Sequence, residues 1–149
     1  MAEAPDQVTL LDIREPHELR QGLVEGALVV PMNDVPGLLH RLPSDRTLAI
    51  YCAAGMRSFG VAHYLREHGF DDAWSVPEGA GGLAAAGLEW VQPTRLPLLT
   101  PGSRASLPGG GDALVQGARD IDGHVEVALL PLDPEQPATV GWWPAADLP

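Results

Sequence analysis

The chain has 149 residues, enough for one ordinary domain with a real core and an appendage. Its 20 acidic and 9 basic side chains leave a formal net charge of −11, which argues against a nucleic-acid partner. Every basic side chain is an arginine, so a lysine phosphate loop, Schiff-base chemistry and a covalent pyridoxal site are excluded.

Val8 to Asp12 reads as a short buried strand. Asp12 stands at its C-terminal end, where open α/β sheets place ligand sites. Pro16 to Gln21 is a short helix, with Pro16 in the first turn and Gly22 at the end. Ala27 to Val30 is a second strand. Asn33 or Asp34 can cap a helix over Val35–Leu42, whose Val35, Leu38, Leu39 and Leu42 form an apolar stripe. Pro43 to Arg46 is a turn into the apolar run Leu48 to Tyr51, which reads as a buried strand. A helix follows, with Ser58, Val61, Ala62 and Leu65 on one face. Gly69 then Phe70 closes it in the manner of a Schellman cap.

Ala73 to Val76 is a further strand. Glu78 to Gly82 reads as a glycine-rich loop, and Leu83 to Ala86 as the start of a short helix. The glycines do not follow the Gly-x-Gly-x-x-Gly spacing of a dinucleotide site. Strand and helix alternate, which predicts an α/β fold: a parallel sheet with helices on both faces. Residues 96–111 are rich in proline and glycine and read as a linker. Beyond it, Ala113–Val115 and Val125–Leu129 flank Asp122-Gly123 as a hairpin, and Val140–Pro144 adds a strand. The organisation expected is a domain over 1–95, a linker over 96–111 and a β-rich extension over 112–149. A lone hairpin is marginal in water, so the extension is expected to dock. Trp142 and Trp143 read as packing anchors, with a partner surface as the alternative.

The chemistry concentrates between the strand Thr47–Cys52 and the helix after it. The protein's one cysteine, Cys52, opens the loop Cys52-Ala53-Ala54-Gly55-Met56-Arg57. A tight loop entering a helix N-terminus turns backbone N–H groups toward its centre and makes an anion nest. Ala53, Ala54 and Gly55 let it curl closely. Thiol pKa values in such settings fall to roughly 3.5–7.5 from about 8.5. Arg57 is a cation at the positive end of the helix dipole, so it is expected to face an anion. The bland reading, a small buried hydrophobe at a strand end, is outweighed by the glycine, the arginine and the strand-to-helix switch.

No other signal competes. A single cysteine excludes an internal disulfide, and the five histidines form no ligand set, so neither metal nor cofactor is expected. No apolar run approaches the roughly 18 residues of a membrane span, and the N-terminus is polar and acidic. A cytoplasmic location without a membrane partner is the expectation.

The pattern Tyr51-Cys52-Ala53-Ala54-Gly55-Met56-Arg57-Ser58 before a helix resembles the active-site loop of single-domain rhodaneses, the sulfurtransferases. Leu11 to Glu18 resembles their Asp-x-Arg-Glu-Pro-x-Glu element, Gly22 to Ala27 their Gly-His-Ile-x-Gly-Ala element, and Ala86-Gly87-Leu88 the domain's end. The resemblance covers about residues 8–92. Leu23 stands where the family usually has a histidine, the tryptophan after the glycines is missing, and Val8 already begins the strand that an opening strand and helix usually precede.

The resemblance implies a thiosulfate sulfurtransferase-like enzyme. Cys52 would carry a persulfide, Arg57 would orient the donor, and the backbone of Ala53, Ala54, Gly55 and Met56 would cradle it. Asp12 and Arg14, by themselves a plain surface pair, would buttress the loop. The partners implied are a small anionic sulfur donor and a thiol or cyanide acceptor. Two alternatives stay open: a rhodanese-like sensor or binding module without turnover, and a cysteine phosphatase or arsenate reductase. The last pair use five residues between cysteine and arginine, and this loop has four.

Overall fold

The computed structural model describes residues 8–19, 22–24, 26–87, 90–91, 101–107, 110–121, 123–133, 135 and 140–147. Arg20, Gln21, Leu88, the first part of the expected linker and Asp122 lie outside them. The chain divides into two compact units. One comprises Met1–Arg14 and Leu23–Val91, the other Glu15–Gly22 and Gln92–Pro149.

The first unit is built on a parallel sheet of β1 (Val8–Asp12), β3 (Leu28–Val29), β4 (Thr47–Tyr51) and β5 (Ala73–Ser75), in the order β3-β1-β4-β5. β4 is central, paired to β1 from Thr47 through Tyr51 and to β5 from Leu48 through Ile50. Leu48, Ala49, Ile50 and Tyr51 are all buried, so both faces of this strand are covered. That explains its uninterrupted apolar run. Helix α2 (Met56–Arg66) packs on β4 and β5 through Ser58, Val61, Ala62 and Leu65, the face expected from their spacing. It ends as expected: Gly69 is left-handed at φ +96°, the Phe70 N–H reaches the Leu65 carbonyl at 3.0 Å, and Phe70 is buried.

Two expectations change here, and a third feature has no counterpart in the sequence reading. Val35–Leu42 is not an α-helix. Two 3-10 segments, Met32–Asp34 and Pro36–Arg41, take its place, and neither has a side-chain cap from Asn33 or Asp34. Pro36-Gly37 is a poor α-helical pair, and Leu38 leaves helical geometry at φ −122°. The stripe still serves, since Val35, Leu38 and Leu42 are buried. Second, the glycine-rich stretch is not a loop: helix α3 runs Gly79–Ala85. Third, β2 (Leu23–Val24) pairs antiparallel with β6 (Trp90–Val91), a ribbon too short for a periodicity signal.

The second unit carries helix α1 (Pro16–Leu19), the described part of the predicted 16–21, whose start is closed by the Glu15 N–H on Glu18 Oε1 at 3.0 Å. It also holds an antiparallel sheet in the order β10-β9-β8-β7: β7 (Arg104–Ser106), β8 (Asp112–Ile121), β9 (His124–Pro131) and β10 (Gly141–Pro144). β7 falls within the stretch read as a linker. The hairpin is longer than its apolar runs implied, with its last pair Ile121 opposite His124. A bulge between Val115 and Gly117 shifts the alternation. Ala113 and Val115 before it, and Ala118 after it, therefore meet the same core with Val127 and Leu129. Trp143 packs on that core, as an anchor should, while Trp142 is exposed. Among the described residues no helix is long and apolar enough to cross a membrane.

Candidate active site

Cys52 follows the last residue of β4, so the sheet fixes its backbone. The chain then turns through Ala53 and Ala54, both exposed, to Gly55 at φ +96°. Gly55 is needed twice over. The left-handed conformation disfavours a side chain, and a Cβ there would lie 2.1 Å from the Pro77 carbonyl oxygen. Gly79 clamps the other side: a Cβ on it would meet the Ala53 carbonyl oxygen at 2.5 Å, and the Ala80 N–H donates to the Cys52 carbonyl at 2.8 Å. Gly79 thus lets α3 press against the backbone of the loop.

The loop closes on the sulfur. Gly55, the N-cap of α2, has no side chain with which to cap it. Instead Cys52 Sγ accepts the Gly55 N–H at 3.1 Å and the Ser58 N–H at 3.4 Å. The sulfur does what a capping oxygen does for a helix N-terminus. Ser58 Oγ lies 3.6 Å from Sγ, 3.2 Å from the Gly55 carbonyl and 2.7 Å from Ser75 Oγ. Burial pushes the Cys52 thiol pKa up, but the Ser58 N–H and hydroxyl outweigh it with the N–H groups of Ala54 and Gly55. The net effect is below the ordinary thiol value.

Asp12 and Arg14 form a buried pair rather than a surface one. Arg14 Nη2 donates to Asp12 Oδ2 at 2.9 Å, Arg14 Nε to Oδ1 at 3.1 Å, and the Arg14 N–H to Oδ1 at 3.0 Å. Tyr51, the residue before Cys52, joins them. Its hydroxyl bonds Asp12 and accepts the Val24 N–H at 3.4 Å, and the Arg14 guanidinium lies 5.6 Å from its ring centre. Burial first, then the Asp12 charge, drive the Tyr51 pKa far up, so it stays a donor.

A groove of about 570 Å³ runs beside the loop, lined by Ala54, Gly55, Met56, Phe59, Trp74 and Ser75 among others. Met56 is 85% exposed, Phe59 69% and Trp74 54%. Trp74 is held in place by its Nε1–H on Asp72 at 2.6 Å and by Arg66, whose guanidinium lies 5.1 Å from the ring centre. Arg57 sits half-buried in the first turn of α2. Among the described residues no group of three or more histidine, cysteine or acidic side chains could hold a metal ion.

A sequence profile of the rhodanese-like domain matches residues 1–86. The chain belongs to the rhodanese-like domain family. It is 36% identical over 88 residues to a sulfurtransferase of Allochromatium vinosum, covering 59% of this chain and 82% of that one. It is 31% identical over 87 residues to the thiosulfate sulfurtransferase GlpE of Pseudoalteromonas translucida, covering 58% and 83%. Among solved structures, a rhodanese-related protein of Thermoplasma volcanium superposes with a TM-score of 0.55 at 28% identity, over 60% of this chain and 89% of that one.

Within this rhodanese-like domain, Leu23 is a buried residue of β2, paired with Val91. Two residues at the centre of the site were not singled out for it in the sequence. The sequence places Ser58 on the packing face of the helix and at the end of the loop motif without a role of its own, and in the structure it touches the sulfur. Ser75 carried no signal beyond its place at the end of a strand. A hydroxyl on an otherwise apolar helix face, in the turn nearest the only thiol, was the available clue for Ser58.

Proposed function

We propose that this rhodanese-like domain transfers sulfane sulfur through a persulfide on Cys52. The observation that carries the reading is the ring of donors on Cys52 Sγ: the Gly55 and Ser58 N–H groups, with the Ser58 hydroxyl beside them. Such a ring favours a thiolate before reaction and the anionic outer sulfur after it.

In the first step the thiolate attacks the sulfane sulfur of thiosulfate. A Cys52 S–S bond forms, the donor's S–S bond breaks, and sulfite leaves with the electron pair. In the second step cyanide or a thiolate attacks the outer sulfur and departs as thiocyanate or a persulfide, which restores the Cys52 thiolate. Arg57, at the head of α2, orients the anionic donor. Asp12, Arg14 and Tyr51 hold the strand end from which the loop springs. The absence of a second cysteine fits a carrier resolved by an outside acceptor.

Cys52 is only 1% exposed, which favours donors with a slim reacting end. That burial, like Leu23 and the missing tryptophan, also fits a binding module without turnover. Steady-state thiocyanate formation from thiosulfate and cyanide separates the two. Sulfur transfer requires turnover that is lost in Cys52→Ser. No turnover, or turnover that survives Cys52→Ser, would sink the proposal.

A further inference from the structure

Ser58 Oγ has one proton and two lone pairs, and three neighbours compete for them. The Gly55 carbonyl at 3.2 Å can only accept, Ser75 Oγ at 2.7 Å can do either, and Cys52 Sγ at 3.6 Å changes role with its protonation. With Cys52 a thiol, one arrangement satisfies all of them. S–H donates to Ser58, Ser58 donates to the Gly55 carbonyl, and Ser75 donates to the remaining lone pair of Ser58. With Cys52 a thiolate, the sulfur is an acceptor only. The Ser58 proton then swings from the Gly55 carbonyl to Sγ, and Ser75 continues to donate to Ser58. The hydroxyls now form a chain that points at the charge, Ser75 to Ser58 to sulfur, and each bond polarises the next.

We infer that Ser75 is a positioning residue for the Cys52 nucleophile: its hydroxyl, acting through Ser58, stabilises the thiolate form. Ser75 lies at the end of β5 and also lines the groove, so the chain runs from the sulfur to the groove wall. The backbone N–H groups of Gly55 and Ser58 stay on the sulfur in both protonation states. The hydroxyl chain is the part that rearranges. The inference rests on Cys52 as the nucleophile of the proposed sulfur transfer, but it is tested on the thiol itself.

The test is the pH dependence of iodoacetamide alkylation, which reads one site because the chain has one cysteine. Ser75→Val and Ser75→Thr are near-isosteric and differ by the hydroxyl, so any packing defect at the strand end is shared. The inference predicts a Ser75→Val profile displaced to higher pH, with alkylation about threefold slower at neutral pH. Ser75→Thr should follow the wild type. At high pH, where the thiol is fully ionised, the Val and Thr rates should converge. Superimposable Val, Thr and wild-type profiles would overturn it, as would a shift shared by Val and Thr. Should Ser75→Val fail to fold, Ser75→Ala takes its place with the same expected displacement, and a wild-type profile in Ser75→Ala would overturn it equally. A displaced profile in a protein that makes no thiocyanate would sink the sulfur-transfer reading and leave the role of Ser75 standing.

Discussion

The two units each turn a tight loop on a left-handed glycine, and the loops differ in what surrounds that glycine. In the hairpin between β8 and β9, Gly123 sits at φ +83°, and a Cβ there would meet nothing within 4 Å. In the loop after β4, Gly55 sits at φ +96°, and a Cβ would run into the Pro77 carbonyl. The first glycine serves the direction of the chain alone. The second serves direction and close approach together, because Pro77, Gly79 and Ala80 hold the loop from outside while Cys52 Sγ holds it from inside. A loop that only connects strands can stand in open solvent. A loop that must present several N–H groups to one sulfur has to be fixed on both sides, so its geometry does not depend on a bound ligand.

The comparison breaks most directly at Gly55. Gly55→Ala adds a clash to the conformational strain, and thiocyanate formation should fall by about 100-fold or more, since small displacements at a reacting centre carry losses of that order. The matching Gly123→Ala should cost about 1–2 kcal/mol of stability from the left-handed backbone and leave activity unchanged. Equal activity losses in the two variants would erase the distinction.

Support from beneath the loop comes next. Asp12→Asn removes the buried carboxylate charge that Arg14 grips, and about 3–5 kcal/mol of stability should go in urea unfolding. A loss below about 1 kcal/mol would mean that the pair is more hydrated than its burial implies. Arg57→Ala should raise KM for thiosulfate by about tenfold while the cyanide step is little changed, in line with one charge-assisted hydrogen bond. Unchanged thiosulfate kinetics would remove Arg57 from donor binding.

The smallest effect is in the pH dependence of stability. The folded Cys52 thiol ionises below its ordinary value, so the folded state releases its proton before the unfolded chain does. The stabilisation is therefore fully present above the unfolded value of about 8.5 and is lost as pH falls through the lower folded value. Urea midpoints of the wild type minus those of Cys52→Ala should rise with pH through that window. A flat difference would contradict the donor ring.

Much of this site could be read from residue order. The loop from Cys52 to Arg57, the buried face of α2 and the Gly69–Phe70 stop were all legible, because each depends on neighbours in the chain. The hairpin turn was legible for the same reason. What escaped depends on contacts between segments. Gly79, Gly81 and Gly82 lower helix propensity, so the first turn of α3 reads as a loop; its Gly79 is there for the approach to Ala53. Ser75 reaches the sulfur only through Ser58, across 17 positions of sequence. Tyr51 reads as another apolar strand residue, and its hydroxyl contacts with Asp12 and the Val24 N–H lie across separate segments. The burial of Asp12 and Arg14 was equally hidden, since a charged pair two residues apart reads as a surface pair. Pro36-Gly37 did carry a local warning against an α-helix, and the apolar stripe around it masked the warning.

The central claim is that the donors gathered on Cys52 Sγ stabilise a sulfur-carrying anion there. Its most direct test is the intact mass of the protein after brief exposure to thiosulfate. The account predicts one added sulfur, removed by cyanide and absent in Cys52→Ser. An unchanged mass in the wild type, or the same adduct in Cys52→Ser, would contradict it.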